Sequence, residues 1–335
     1  MKPSKLGFGL PCPCGSGKEF NHCCLNGNLP PELQELLATL QNDLVHNPRL
    51  SMDDVEGLVN ARMQSFNQQG LPHLCGLSPE QMHNWEGAAW GQWQNVSFNT
   101  PADLSSSPVM RFLEVLLQEM LENNGSIKLT SKGNLPMRVV QQCVQIASSM
   151  PVLEGSVHIS ISEFKGRNED DYNALHYTRV LAEIAGILYK RSGRLHFKKD
   201  ALKAYQKQGL AAFYGQLLDA ATSSYNWGYL DGYTTELQLQ RIWLFMLWRL
   251  QGHCSIQQLA DEVEVLFEPM LQRMPVPEYN SWNKELRSMI FTRFVVRFLG
   301  YFGLVRAREK DYMWDGSADA VEFTPLMTQS FRFEL

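Results

Sequence analysis

Four of the seven cysteines in this 335-residue chain stand between positions 12 and 24, in "PCPCGSGKEFNHCC". A segment of about twenty residues cannot bury a core of its own, so something else must close it. Cys12, Cys14, Cys23 and Cys24 give the spacing C-x-C-x8-C-C. Two close ligands, a turn and a second close pair are the design of a small tetrahedral zinc site. Gly15 and Gly17 let the backbone reverse between the pairs, and Ser16 can hydrogen-bond within that turn. Four thiolates around Zn²⁺ leave about two negative charges, which backbone N–H groups, Lys18 and His22 are near enough in sequence to offset. Other chemistries fit less well. Adjacent Cys23 and Cys24 suit small unstrained disulfides poorly. The stretch "GSGK" lacks the first glycine and the Ser or Thr of a phosphate-binding loop. No C-x-x-C redox pair is present.

The same residues resemble the SEC-C motif, the zinc finger at the C-terminus of the bacterial translocation ATPase SecA. That pattern is C-x-C-x-S-G-x5-C followed by His or Cys, and Cys12, Cys14, Ser16, Gly17, Cys23 and Cys24 match it. Cys24 takes the alternative last ligand. The resemblance covers about residues 10 to 28. It implies zinc, a bacterial setting and docking to a protein, since in SecA the module meets the chaperone SecB and ribosomes without catalysis of its own. None of SecA's ATPase machinery follows it.

Behind the finger the composition is that of a globular body. Apolar residues make up 44% and charged residues 19%, enough to fill a core and too apolar for disorder. Thirty basic against thirty-five acidic residues give a formal charge of -5, unlike a protein that coats DNA. The start "MKPSKLGFGLP" has no apolar core for a secretory signal. The longest apolar run, Ile242 to Trp248, is far short of the roughly 20 residues a bilayer needs. The expectation is a soluble, cytoplasmic protein without membrane contact, in a compartment where clustered cysteines bind metal.

Apolar residues at helical spacing predict helices over Pro31 to Leu44 and Met52 to Gln68, and Ser78 with Pro79 marks another helix start. A faint repeat runs through the body. Helices Met110 to Asn123, Leu175 to Tyr189 and Ile290 to Phe302 each reach a glycine and then a short alternating strand. The strands align as Ile127 to Thr130, Leu195 to Lys198 and Val321 to Thr324, with Asp315-Gly316 turning a hairpin in the third. This helix-then-wing pattern looks like the winged-helix class; the alternative is a plain helical array with incidental hairpins. The fold class expected is mainly α with short β-hairpins (α+β). Four regions are expected: a finger over 1–28, a helical linker region over 29–104, a first winged-helix-like region over 105–210 and a second over 211–335.

The segment "CSIQQLADEVE", Cys254 to Glu264, reads as a helix-turn-helix start with Ser255 as cap and Ile256, Leu259, Ala260 and Val263 inward. Its outward residues are amides and carboxylates, poor partners for phosphate. Basic residues gather elsewhere, as Lys190, Arg191, Arg194, Lys198, Lys199, Lys203 and Lys207, opposed only by Asp200. On a wing and the helix after it they could meet nucleic acid or an acidic partner; the alternative is a solvated helix face. No hydrolase, metalloprotease or dinucleotide-binding motif is present, and the histidines have no ligand spacing. Tryptophans, and the isolated Cys75, Cys143 and Cys254, are expected in the core. The acids of "RNEDDYN" suit a helix's first turn, and "YNWGYLDGY" suits a pocket wall or a tight turn. The reading is a non-enzymatic zinc-binding adaptor docking through its finger, with nucleic-acid binding through the basic patch as the alternative.

Overall fold

The structure is a computed structural model. It describes residues 31–335 except 48, 149, 151–162, 164–165, 230, 234–236, 272–280 and 308–319. The finger residues, Trp314 and the Asp315-Gly316 turn therefore lie outside the described residues. The chain divides into two compact units, Met1–Gln81 and Met82–Leu335. Mainly helical, it carries short antiparallel strands, as the sequence pattern predicts. Among the described residues no helix is long and apolar enough to cross a membrane.

The first unit holds two helices, α1 (Pro31–His46) and α2 (Met52–Gln68). Ser51 starts α2 through a capping box: its Oγ accepts from Asp54 N (3.2 Å), while the Asp54 carboxylate accepts from Ser51 N (3.0 Å). Such a box satisfies two donors that a helix start otherwise leaves open. Arg62 of α2 reaches Asp43 of α1 at 3.0 Å. A second box starts α3 (Pro79–Gly87), with Gln81 N donating to Ser78 Oγ and Ser78 N to Gln81 Oε1.

In the second unit, α4 (Pro108–Glu122), β2 (Ser126–Lys128), α5 (Met137–Ala147), α6 (Asn173–Ile184), β3 (Leu188–Arg191) and β4 (Arg194–Phe197) follow one another. Their strands form an antiparallel sheet in the order β2-β4-β3, so the last strand lies between the other two. A two-residue turn, Ser192-Gly193, joins β3 to β4 with both residues at positive φ, 50° and 70°. That geometry matches the twist of paired strands. Helices α7 (Lys199–Gln208) and α8 (Ala211–Ser223) come next.

The same order then recurs. Helix α9 (Trp243–His253) leads to Ser255, which bridges Ala320, and to α10 (Ile256–Leu271). Helix α11 (Trp282–Met289) continues as a π-helix over Ile290–Gly300, before β5 (Val305–Ala307) and β6 (Val321–Phe323). The 320–323 stretch again lies between an early partner and the preceding strand. Ser255 caps α10 as expected, accepting from Gln258 N at 3.1 Å, and Leu259, Ala260 and Val263 are fully buried. After α12 (Pro325–Ser330), β7 (Phe331–Phe333) pairs antiparallel with β1 (Val96–Phe98) and ties the chain end to its middle.

Two details correct the sequence reading. The helix expected to run to Tyr189 stops at Ile184, because Ile187 N closes back on Ala182 O (2.9 Å) and Gly186 takes a left-handed φ of 68°. Residues 188–191 then become a strand. The stretches 127–130 and 195–198, aligned as equivalents of separate repeats, are neighbours in one sheet, with Ile127 facing Leu195. They belong to two halves of a single unit.

Close packing holds the turn after the π-helix. Gly303 sits at φ 73°, and a Cβ there would overlap the Ser106 carbonyl oxygen. Gly303→Ala is expected to cost about 2–3 kcal/mol, from left-handed strain plus displaced backbone. Gly193→Ala, with open space around it, should cost only about 1 kcal/mol. Urea unfolding of both variants checks this; equal losses would mean that Ser106 gives way freely.

Candidate functional site

Three features could carry function: the N-terminal cysteines, the basic residues, and an aromatic-walled cavity. Cys12, Cys14, Cys23 and Cys24, with Gly15, Ser16, Gly17, Lys18 and His22, lie outside the described residues. Among the described residues no group of three or more His, Cys, Asp or Glu could hold a metal. Cys143 is fully buried in α5, and burial pushes its thiol far up. Cys75 and Cys254 are only partly buried; they end the short turn Pro72–Leu74 and helix α9 at left-handed φ of 56° and 60°. They correct the expectation of three core thiols.

Basic residues divide between a strand and a helix. Lys190 and Arg191 stand exposed on β3, and Lys199, Lys203 and Lys207 recur every fourth residue along α7, with Lys198 just ahead of them. A spacing of four places them along one stripe. Lys190 approaches Glu183 (3.5 Å) and Lys203 approaches Asp200 (3.7 Å), pairs too exposed to matter much. Arg194 differs. Half-buried, it donates to Ser126 Oγ (2.9 Å) and Ser126 O (3.2 Å), which holds β2 against β4.

Buried carboxylates, which sequence reasoning missed, fix the surroundings. Glu169 belongs to the acidic run expected as a charged first turn; it stands in the turn Glu169–Asp171 and is fully buried. It accepts from Leu135 N (2.6 Å), from Arg179 Nε, and lies 3.0 Å from His176 Nδ1. Burial alone would raise its carboxyl, but the His176 bond, the Arg179 charge and the Leu135 amide outweigh that and lower it. A depressed native pKa adds stability that is complete above the ordinary value of 4.5 and disappears as pH falls through the native value. Glu169→Gln is therefore expected to cost about 2–3 kcal/mol at neutral pH and progressively less under acid. Unfolding measured across pH checks it; a gap independent of pH would contradict the ionic role.

The π-helix carries two arginines into similar pairs. Arg293 donates to Asp231 and to Leu237 O (3.2 Å), and Arg297 donates to both oxygens of Glu163 (2.9 and 3.2 Å). Tyr301 and Asn173 donate to Glu163 as well. The available signal was "IFTRFVVRFLG", where two guanidiniums four residues apart in an apolar run each demand a buried acid.

Near Arg293 lies a cavity of about 900 Å³. Its walls include Trp85, Trp90, Trp93, Tyr225, Trp227 and Trp243. Trp85, Trp93, Trp227 and Trp243 are buried, as the core reading expects, yet they also face this space. Trp90 stacks on Trp243 with centroids 6.0 Å apart, and Trp93 stands edge-on to both, at 4.8 Å from Trp90 and 5.5 Å from Trp243. Strands β1 and β7 back this cluster, through Phe98 and Phe331 against Trp90. The stretch 225–233 supplies the Tyr225, Trp227, Gly228 and Tyr233 part of the wall, in line with its pocket reading. A volume of this size falls in the range of small-molecule sites.

No curated protein and no solved structure matches the chain. Residues 10–26 match the family model of the SEC-C motif. The chain thus carries a SEC-C motif, a metal-binding element, at its N-terminal end.

Proposed function

We propose that the protein is a non-enzymatic adaptor. Its SEC-C motif holds a zinc ion through Cys12, Cys14, Cys23 and Cys24 and docks to a protein partner such as a chaperone or a ribosome. The body is a scaffold of two winged-helix units, over 108–197 and 243–323. The observation that carries the reading is the SEC-C match at residues 10–26. Support for the scaffold comes from the order helix, strand, helix, helix, strand, strand over 108–197, with the last strand central, and from a similar order over 243–323, where a single Ser255–Ala320 bridge stands in place of the first strand. The third helix of such a unit is the one that enters a DNA groove. Here α6 buries Ala174, Leu175, Tyr177, Thr178, Arg179, Leu181 and Ala182, leaving almost no side for a groove. Helix α11 and its π-helical continuation bury Leu286, Met289, Ile290 and most residues beyond. The test is quantitative capture of partners by the full chain and by residues 29–335. Partners retained by the full chain alone support docking through the finger; identical sets oppose it.

Nucleic acid remains a second reading because Lys190, Arg191, Lys198, Lys199, Lys203 and Lys207 are exposed. A site neutralising several phosphates would lose affinity with salt at a log–log slope of about -0.9 per phosphate. We expect weak duplex and single-strand binding at near-physiological salt, unchanged when Arg191, Lys198, Lys199 and Lys203 become alanine. Arg194 is spared because it holds Ser126. Tight binding lost in that variant would replace the adaptor reading.

A further inference from the structure

We infer that the aromatic-walled cavity is a binding site for an organic cation, a quaternary or protonated amine. The charges around it decide its polarity. Among the described residues, four charged ones line it: Glu86, Asp219, Arg241 and Arg293. Arg241 and Glu86 neutralise each other at 3.1 Å. Arg293 is matched by Asp231, whose side chain is 1% exposed. Asp219 is the exception. Its backbone oxygen accepts from Thr222 and Ser223, but its half-buried carboxylate has no ion-pair or hydrogen-bond partner among the described residues. Among the described residues, Asp219 is thus the one lining charge without a counter-charge, beside indole and phenol rings.

The walls suit the same ligand. Indole faces are the strongest cation–π partners among side chains, and quaternary ammonium groups are recognised by such clusters. The rings are held before any ligand arrives. Trp85 Nε1 is tied to Gln94 O (2.9 Å), Trp227 Nε1 to Ala221 O (2.7 Å), and Trp90, Trp93 and Trp243 brace one another. Preorganised rings spare a ligand the ordering cost that weakens binding. An anion is disfavoured, because both lining guanidiniums already have carboxylates and Asp219 would repel it.

Choline and its neutral carbon isostere, dimethylbutanol, are the probes, titrated into the full chain and followed by calorimetry and indole fluorescence. Choline is expected to bind saturably, and dimethylbutanol at least about tenfold more weakly, the scale of desolvated cation–π contacts. Asp219→Asn, a change of charge without a change of size, is expected to weaken choline by about tenfold and leave dimethylbutanol unaffected. Trp90→Leu should weaken choline as well, with circular dichroism confirming the fold. Absence of saturation below about 10 mM would overturn the site, as such affinity is barely above chance contact. Equal affinity for both probes would overturn the cation class. Choline binding untouched by Asp219→Asn would overturn the assignment to this cavity.

Discussion

Asp231→Ala is expected to destabilise the second unit by about 3–5 kcal/mol, because it removes a buried carboxylate that accepts from a buried guanidinium. The side chains of Arg293 and Asp231 are 4% and 1% exposed, so water cannot replace the lost carboxylate. Asp231 also accepts from Tyr233 N at 3.0 Å, which ties the backbone of Tyr233 to it. The loss corresponds to a urea midpoint lowered by roughly 1 M. Replacing the pair together, as Asp231→Leu with Arg293→Met, should recover more than half, since a well-packed apolar pair escapes the desolvation cost. Glu114→Ala serves as contrast. Its pair with Arg111 is about one-third exposed, and its removal should cost under about 1 kcal/mol. If Asp231→Ala cost no more than Glu114→Ala, the buried pair would not be what fixes the π-helix against Asp231.

Metal removal has the larger local effect. Structural zinc contributes about 10–16 kcal/mol to finger-sized segments, which is most of their folding free energy. One equivalent of zinc per chain is expected, and the Cys12→Ser, Cys14→Ser double variant should carry none. Chelation should unfold the finger and leave the body standing. All eight tryptophans lie at position 85 or beyond, so indole fluorescence follows the second unit alone. Its thermal transition should be the same with and without chelator. A strong drop would mean that the metal site is packed into the body and does not act as a free docking module. Substoichiometric zinc that is unchanged in the double variant would remove the metal site itself.

Much of the helical framework was legible because its signals are local. The Ser78 and Ser255 caps, the apolar face of α10 and the strand after Gly193 need only a few neighbouring residues to be read. The pairing of β2 with β4 was not legible, because Ser126 and His196 meet across seventy residues of chain that carry no mark of it. Nor was the buried state of Glu169. In sequence it is one of three adjacent acids, and only the approach of Arg179, His176 and the Leu135 amide separates it from Asp170 and Asp171. The cavity illustrates the same limit. Its tryptophans come from positions 85 to 93 and 227 to 243, and what they enclose depends on β1 pairing with β7. The SEC-C motif stands at the other extreme. A metal site made within seventeen residues has to be written into their spacing.

On the proposed function, a metal-organised finger docks the chain to a protein partner. The most direct measurement compares partner affinity of the zinc-loaded full chain with that of the full-length Cys12→Ser, Cys14→Ser variant. Fluorescence in parallel verifies that the second unit is folded in both. At least about a hundredfold loss is expected in the variant, the cost of unfolding the docking element, and the same loss on chelating the native chain. Equal affinity for the two proteins, with the metal absent from one, would contradict it.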